Sequence, residues 1–221
     1  MSKPRYLLLL TYSKTMASAL LKNHADIIGA TVGDTSHIVD VLALYKSNSY
    51  CFRRICVAKA LSLSEISSSS TSWDDAVSGD HSKELTLTRI EECTLIEKFG
   101  AAVWLTEMDH MSAPFSQAFV SIANKSRALC ADLSFGLGEV LGLGQRHADF
   151  ESVREALKMH QVPEEPCKWY MDMRDSKAGG SAFQTTGCGL GMEPFLALIL
   201  QHDDIRDMAI IPRLKGMKFE P

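Results

Sequence analysis

The residues with most to offer chemically lie in Thr185-Thr186-Gly187-Cys188-Gly189-Leu190-Gly191-Met192-Glu193-Pro194, which runs on into the apolar stretch 195–200. Glycine at positions 187, 189 and 191 leaves one face of an extended segment bare, so a flat ligand or another backbone can approach closely. Taken alone, the pattern fits a buried glycine strand without a ligand equally well. Pro194 suits a helix start, where its missing N–H has no intrahelical acceptor. Cys188 lies among the glycines, but a nucleophilic thiol needs an electropositive neighbour or a base, and the sequence shows none for it. His37, His110 and His147 are the candidate acid–base residues, although a lone histidine near a strand end is more commonly structural.

These residues need elements to hold them. Residues 185–190 read as a strand that feeds a helix. Cys130 to His147 is a second glycine-rich apolar segment, expected as two short strands joined by a turn near residues 136–138. Asp149 to Met159 puts Phe150, Val153 and Leu157 on one side of an amphipathic helix, which Pro163 and Pro166 bring to an end. Thr88 or Arg89 opens another helix, with Glu91 and Glu92 in its favoured first turn and Gly100 at its close. Residues 101–106 read as a strand, and Pro114-Phe115 begin an irregular one. Trp169 to Met173 alternates like a strand, and Met208 to Ile211 reads as a final strand.

The front of the chain reads as a short helix over 13–21 with Ser13 as N-cap. An antiparallel pair of strands follows, His24 to Val32 and His37 to Tyr45, about a turn at 33–36. Residues 51–61 have helical spacing, with Arg53 and Arg54 on a solvated face. Residues 62–84 include four consecutive serines and carry no apolar stripe, so a mobile surface insertion is expected there.

At 221 residues the chain is expected to form one domain with a sizeable core. Its 46% hydrophobic and 23% charged residues are ordinary for a soluble globular protein. A net charge of -4 supplies no general polycation for nucleic acid. The six cysteines are scattered without a Cys-x-x-Cys pair, which argues against zinc and against a secreted disulfide framework, and nothing points to haem or flavin. Residues 6–10 are apolar but too few to span a membrane, and no signal peptide is evident, so a cytoplasmic protein is expected.

Three stretches together resemble class II aminoacyl-tRNA synthetases of the aspartyl and asparaginyl branch: residues 138–147 (GEVLGLGQRH), 169–174 (WYMDMR) and 187–200. Residues 204–207 and Ile211-Pro212-Arg213 continue the match in the family's order. Pro114-Phe115 and Arg89 to Glu92 fit less distinctively. The resemblance implies an α+β fold, an antiparallel sheet flanked by helices, that joins a substrate carboxylate to the α-phosphate of ATP. It implies that Glu139 is the acid facing magnesium and ATP, with Gly191 and Glu193 on the cofactor side. Arg146 would face a substrate carboxylate, flanked by Gln145, His147, Gly187 and Gly189, which makes His147 the best placed histidine. A guanidinium meets a carboxylate as a two-pronged fork.

The departures matter as much. After the motif's glutamate the family carries an arginine that grips adenine and the γ-phosphate, and here Pro194 stands in its place. In a loose alignment of residues 1–60, the α-phosphate arginine falls at Gly33. Losing one such contact costs about 3 kcal/mol of transition-state stabilisation, so ATP and magnesium are implied while adenylation is disfavoured. The family's motif 1 helix and strand, with its dimer interface, and the anticodon-binding barrel have no counterpart in the 221 residues. A single truncated catalytic domain over residues 1–221 is therefore expected, with a homodimer left open but without the motif 1 interface, and with no tRNA role expected. The first expectation is a repurposed ligase-like enzyme acting on a small amino-acid-like substrate, in amide formation or a specialised biosynthetic step. The second is an inactive paralogue that binds an amino acid or a partner and regulates. A working aspartyl- or asparaginyl-tRNA ligase comes last.

Overall fold

The computed structural model describes residues 3–47, 53–63, 86–99, 102–122, 125–180 and 182–211. Its centre is a five-stranded sheet in the order β1 (Arg53–Cys56), β2 (Val103–Thr106), β5 (Cys130–Phe135), β6 (Gly138–Gln145) and β7 (Thr186–Leu190). The β1–β2 pair is parallel and the rest are antiparallel. β3 (Phe119–Ile122) and β4 (Lys125–Ala128) form a separate hairpin. The β5–β6 turn falls where the sequence places it, with Gly136 at φ 64° and Gly138 at φ 130°.

Strand alternation gives the sheet two unlike faces. One carries Trp104, Leu133, Leu141 and Leu143, which pack against Ala17, Ile28, Ile38, Phe195 and Ile199. Those residues come from α1 (Lys3–Val32), α2 (Ser36–Ser47) and α7 (Met192–Ile199). On the other face α3 (Val57–Leu63) and α4 (Arg89–Phe99) bury Ala60 and Leu95 against Ile55, Val103 and Leu105 of β1 and β2, and α4 reaches on to β5, where Glu92 meets Ser134. Beyond that cover, register puts Gly142 beside Gly189 and Gly144 beside Gly187 on the same face. These four glycines add no side chain to the face, so they form a bare floor.

Several sequence expectations are corrected. Residues 24–32 and 37–45 are helical, not an antiparallel pair: α1 runs through Ser13 to Val32 with a kink at His24, and α2 follows after Gly33. The apolar residues at 17, 20, 21, 28 and 32 repeat at helical spacing and meet the sheet. Short β-branched runs look alike as strands or as buried helix. Ser13 is accordingly a buried interior residue of α1 and not its cap. Residues 53–56 are strand β1 before α3 begins, so Arg53 lies on a strand, with its guanidinium 4.5 Å from the Phe99 ring centre. Trp169 to Met173 is not a strand; α6 (Lys168–Asp172) turns there, burying Met171 and exposing Trp169. Residues 205–208 form a 3-10 turn, and no strand follows over 208–211. Most of the serine-rich segment, Gly100, Pro212 and Arg213 lie outside the described residues. α5 (Phe150–Met159) and α4 match the sequence reading, and a capping box of Thr88 with Glu91 opens α4. Among the described residues, no helix is long and apolar enough to cross a membrane.

Candidate functional site

The glycine floor is the bottom of a cavity of about 470 Å³. Gly142, Gly144, Gly187 and Gly189 line it below. The wall opposite is built from Met108, Ser112, Ala113, Pro114 and Gln117. Asp109 anchors that wall: it accepts a hydrogen bond from Met111 N at 3.1 Å, capping the one-turn helix His110–Ser112, and one from Arg127 Nη1 on β4 at 3.2 Å.

One end of the cavity is cationic. Arg146 follows Gln145, the last residue of β6, and lies over Gly187, where a Cβ would stand 2.8 Å from its Nη2. Its Nη1 donates to Ser116 Oγ at 2.8 Å. The segment after it is held by Arg174, whose Nε donates to the His147 carbonyl at 2.9 Å and whose guanidinium stacks 4.0 Å from the Tyr170 ring centre. Gln117 and Arg146 face each other across an isolated antiparallel bridge, so their side chains leave the same side.

The other end is acidic. Asp132 on β5 and Glu139 on β6 flank Gly142, whose Cβ would lie 3.4 Å from one carboxylate and 2.9 Å from the other. A register shift between Leu133 and Ser134 turns Glu139 onto the floor side opposite Ser134. Glu92 of α4 stands behind them and accepts from Ser134 Oγ at 3.3 Å. Burial, then repulsion from Glu139 and Glu92, pushes the Asp132 carboxyl up to about 7. Burial likewise raises Glu139 and Glu92 above the usual carboxylate range. Cys130 also lines the cavity, but burial pushes its thiol up to about 12 and it donates to Met108 Sδ at 3.6 Å, so it is no nucleophile.

Two carboxylates beside one glycine suit magnesium, which binds through one or two carboxylates and fills its shell with water and phosphate oxygens. Among the described residues, no three His, Cys, Asp or Glu side chains converge to hold a metal by themselves.

Of the residues singled out from sequence, Glu139, Arg146, Gly187 and Gly189 line the cavity. Gln145 sits on β6 between Gly144 and Arg146 and is not among the lining residues. His147 is buried with His110 beside the half-buried His160, the His110 ring lying 6.4 Å from that of His147 and 4.7 Å from that of His160. Gly191 caps α7, and in its first turn Glu193 is exposed and Pro194 half-buried. His37 bonds the Ile199 carbonyl at 2.7 Å and fastens α2 to the end of α7. Gly33, at φ 90°, ends α1, so no strand hairpin presents it to the floor. Asp132, Gln117 and Ser116 were not singled out from sequence. Asp132 was within reach, because pairing residues 130–135 with 138–145 brings it level with Gly142.

A family described as tRNA synthetases class II (D, K and N) matches residues 9–215. The chain is 37% identical over 89 residues to an asparagine–tRNA ligase of Sorangium cellulosum, covering 39% of this chain and 19% of that protein. It is 40% identical over 86 residues to that of Koribacter versatilis, covering 38% and 19%. The matched segments thus span about a fifth of those relatives' length. Among solved structures, asparaginyl-tRNA synthetase from Pyrococcus horikoshii superposes with a TM-score of 0.74 at 20% identity, over 100% of this chain and 48% of that one. The Entamoeba histolytica enzyme in complex with asparaginyl-adenylate gives 0.69 at 20% identity, over 100% and 46%. These likenesses show the fold.

Proposed function

Because the chain belongs to the class II tRNA synthetases of the D, K and N type, we propose that its cavity binds a small amino acid with a short polar side chain for a ligase-type reaction at the carboxyl group. The observation that carries this reading is the separation of charge along one bare floor: Arg146 over Gly187, and Asp132 with Glu139 beside Gly142. A dipolar amino acid matches such a site, since its anionic or carbonyl end pairs with the guanidinium and its ammonium turns to the carboxylates. Ser116 and Gly187 fix the guanidinium before the ligand arrives, which lowers the ordering cost of binding. When bound, magnesium would be held by Asp132 and Glu139 and would neutralise charge on phosphate oxygens.

An amide-forming or other specialised biosynthetic step and tRNA charging share this carboxyl chemistry, and Pro194 in place of a phosphate-gripping arginine weakens every route through ATP. That substitution also favours the second reading, an inactive domain that binds an amino acid and regulates. Asparagine-dependent exchange of labelled pyrophosphate into ATP separates the two. Measurable exchange that is lost in Glu139→Gln supports the ligase. No exchange at saturating asparagine and ATP, with asparagine binding intact, supports the binder.

A further inference from the structure

Resting on that amino-acid reading, we propose that Arg174 is a positioning residue that acts through Arg146, holding the latter's guanidinium on its seat at the cationic end of the cavity. Arg174 is buried and does not line the cavity, so it meets no ligand itself. Its spacing of four from Tyr170 brings the guanidinium back over that ring, 4.0 Å from the ring centre. Nε donates to the His147 carbonyl at 2.9 Å, and Nη1 to the Tyr170 carbonyl at 3.3 Å. Among the described residues no carboxylate lies within ion-pair distance of it. Buried arginines are ordinarily paired with an acid. This one is given to two carbonyls and a ring, so what it supplies is geometry.

The two segments it grips are the two sides of the Arg146 seat. His147 follows Arg146 directly, so the bond to its carbonyl fixes the direction in which the Arg146 side chain leaves the chain. On the other side Tyr170 stands edge-on to Phe115 with ring centres 6.4 Å apart, and Phe115 precedes Ser116, whose Oγ receives Arg146 Nη1. The platform under Arg174 is stiff. Met171 of α6 is buried with Val153 and Leu157 of α5, and Gly180 packs so closely on the carbonyls of Asp172, Met173 and Asp175 that any Cβ there would collide with them. A guanidinium fixed in advance loses less freedom when a ligand carboxylate or carbonyl arrives, and freeing it weakens binding without removing a contact.

The test is a double-mutant cycle on asparagine binding, followed by NMR titration of the full chain as wild type, Arg174→Met, Arg146→Ala and the double variant. Arg174→Met should weaken asparagine by about fivefold or more in the wild-type background and by less than about twofold where Arg146 is already alanine. Equal loss in both backgrounds, which a merely structural role gives, overturns the proposal, and so does unchanged affinity in Arg174→Met; either leaves the amino-acid pocket standing. A second readout needs no ligand: the Arg146 Nε–H resonance should be sharp in wild type and broadened or lost in Arg174→Met, and an unchanged resonance overturns the proposal. That resonance decides where Arg146→Ala binds too weakly to close the cycle. If Arg174→Met shows no cooperative thermal transition, Arg174→Lys takes its place, since it keeps the charge but not the planar fork, and an unaltered Arg146 resonance there overturns the proposal. No binding of asparagine to wild type overturns this inference and the reading beneath it together.

Discussion

At the scale of single residues, the site depends on what is absent as much as on what is present. Arg146 can lie flat on β7 because position 187 has no side chain. Gly187→Ala should leave the fold intact, since β7 is a strand edge that tolerates a methyl group, yet it pushes the guanidinium off its seat. Asparagine affinity should fall by about tenfold or more while the melting temperature stays within a few degrees, and unchanged affinity would show that Arg146 does not work from this position. Glu139 and Arg146 were legible because they stand in a run of distinctive residues. Gln117 was not, because an irregular segment delivers it through one isolated bridge, and no periodicity announces such a contact.

At the scale of elements, strands that read correctly are those whose turns carry their own chemistry, as in the β5–β6 hairpin with its two left-handed glycines. α5 read correctly for a similar reason: Asp149 caps it, accepting from Ser152 N at 2.9 Å, and Val153, Ala156 and Leu157 are buried on one side. Asp149→Ala should cost about 1 kcal/mol in chemical denaturation, and a loss near zero would mean the cap bond is idle. α1 and α2 are not legible in the sequence because their identity is decided by the sheet they cover. Ile38 and Leu42 look like part of a strand until Trp104 and Leu133 claim them at helical spacing. Likewise the five residues 168–172 are too few for any period to speak, and burial of Met171 against Val153 and Leu157 settles them as helix.

At the scale of the whole molecule, two buried ionisable groups set opposing pH dependences. Burial, then the neighbouring imidazoles, holds His110 near 4 against 6.5 for the free group, and burial lowers His147 and His160 as well. The unfolded chain therefore binds protons that the folded chain refuses, so stability is full above 6.5 and falls as the pH drops towards about 4. Asp132 acts in the other sense: its contribution is present below 3.8 and is lost as the pH rises through about 7. His110→Leu should lose less melting temperature than wild type between about pH 7 and about pH 5, and an equal loss would contradict this assignment. Asp132 borders the cavity, and fold and site meet in one claim: this cavity reads an amino acid through Arg146. The direct test is calorimetric titration of asparagine into wild type and Arg146→Ala. A wild-type Kd below about 1 mM, weakened at least about tenfold in a variant that melts cooperatively at a similar temperature, is the predicted result. Equal affinity in the two proteins, or no binding to either, would contradict it.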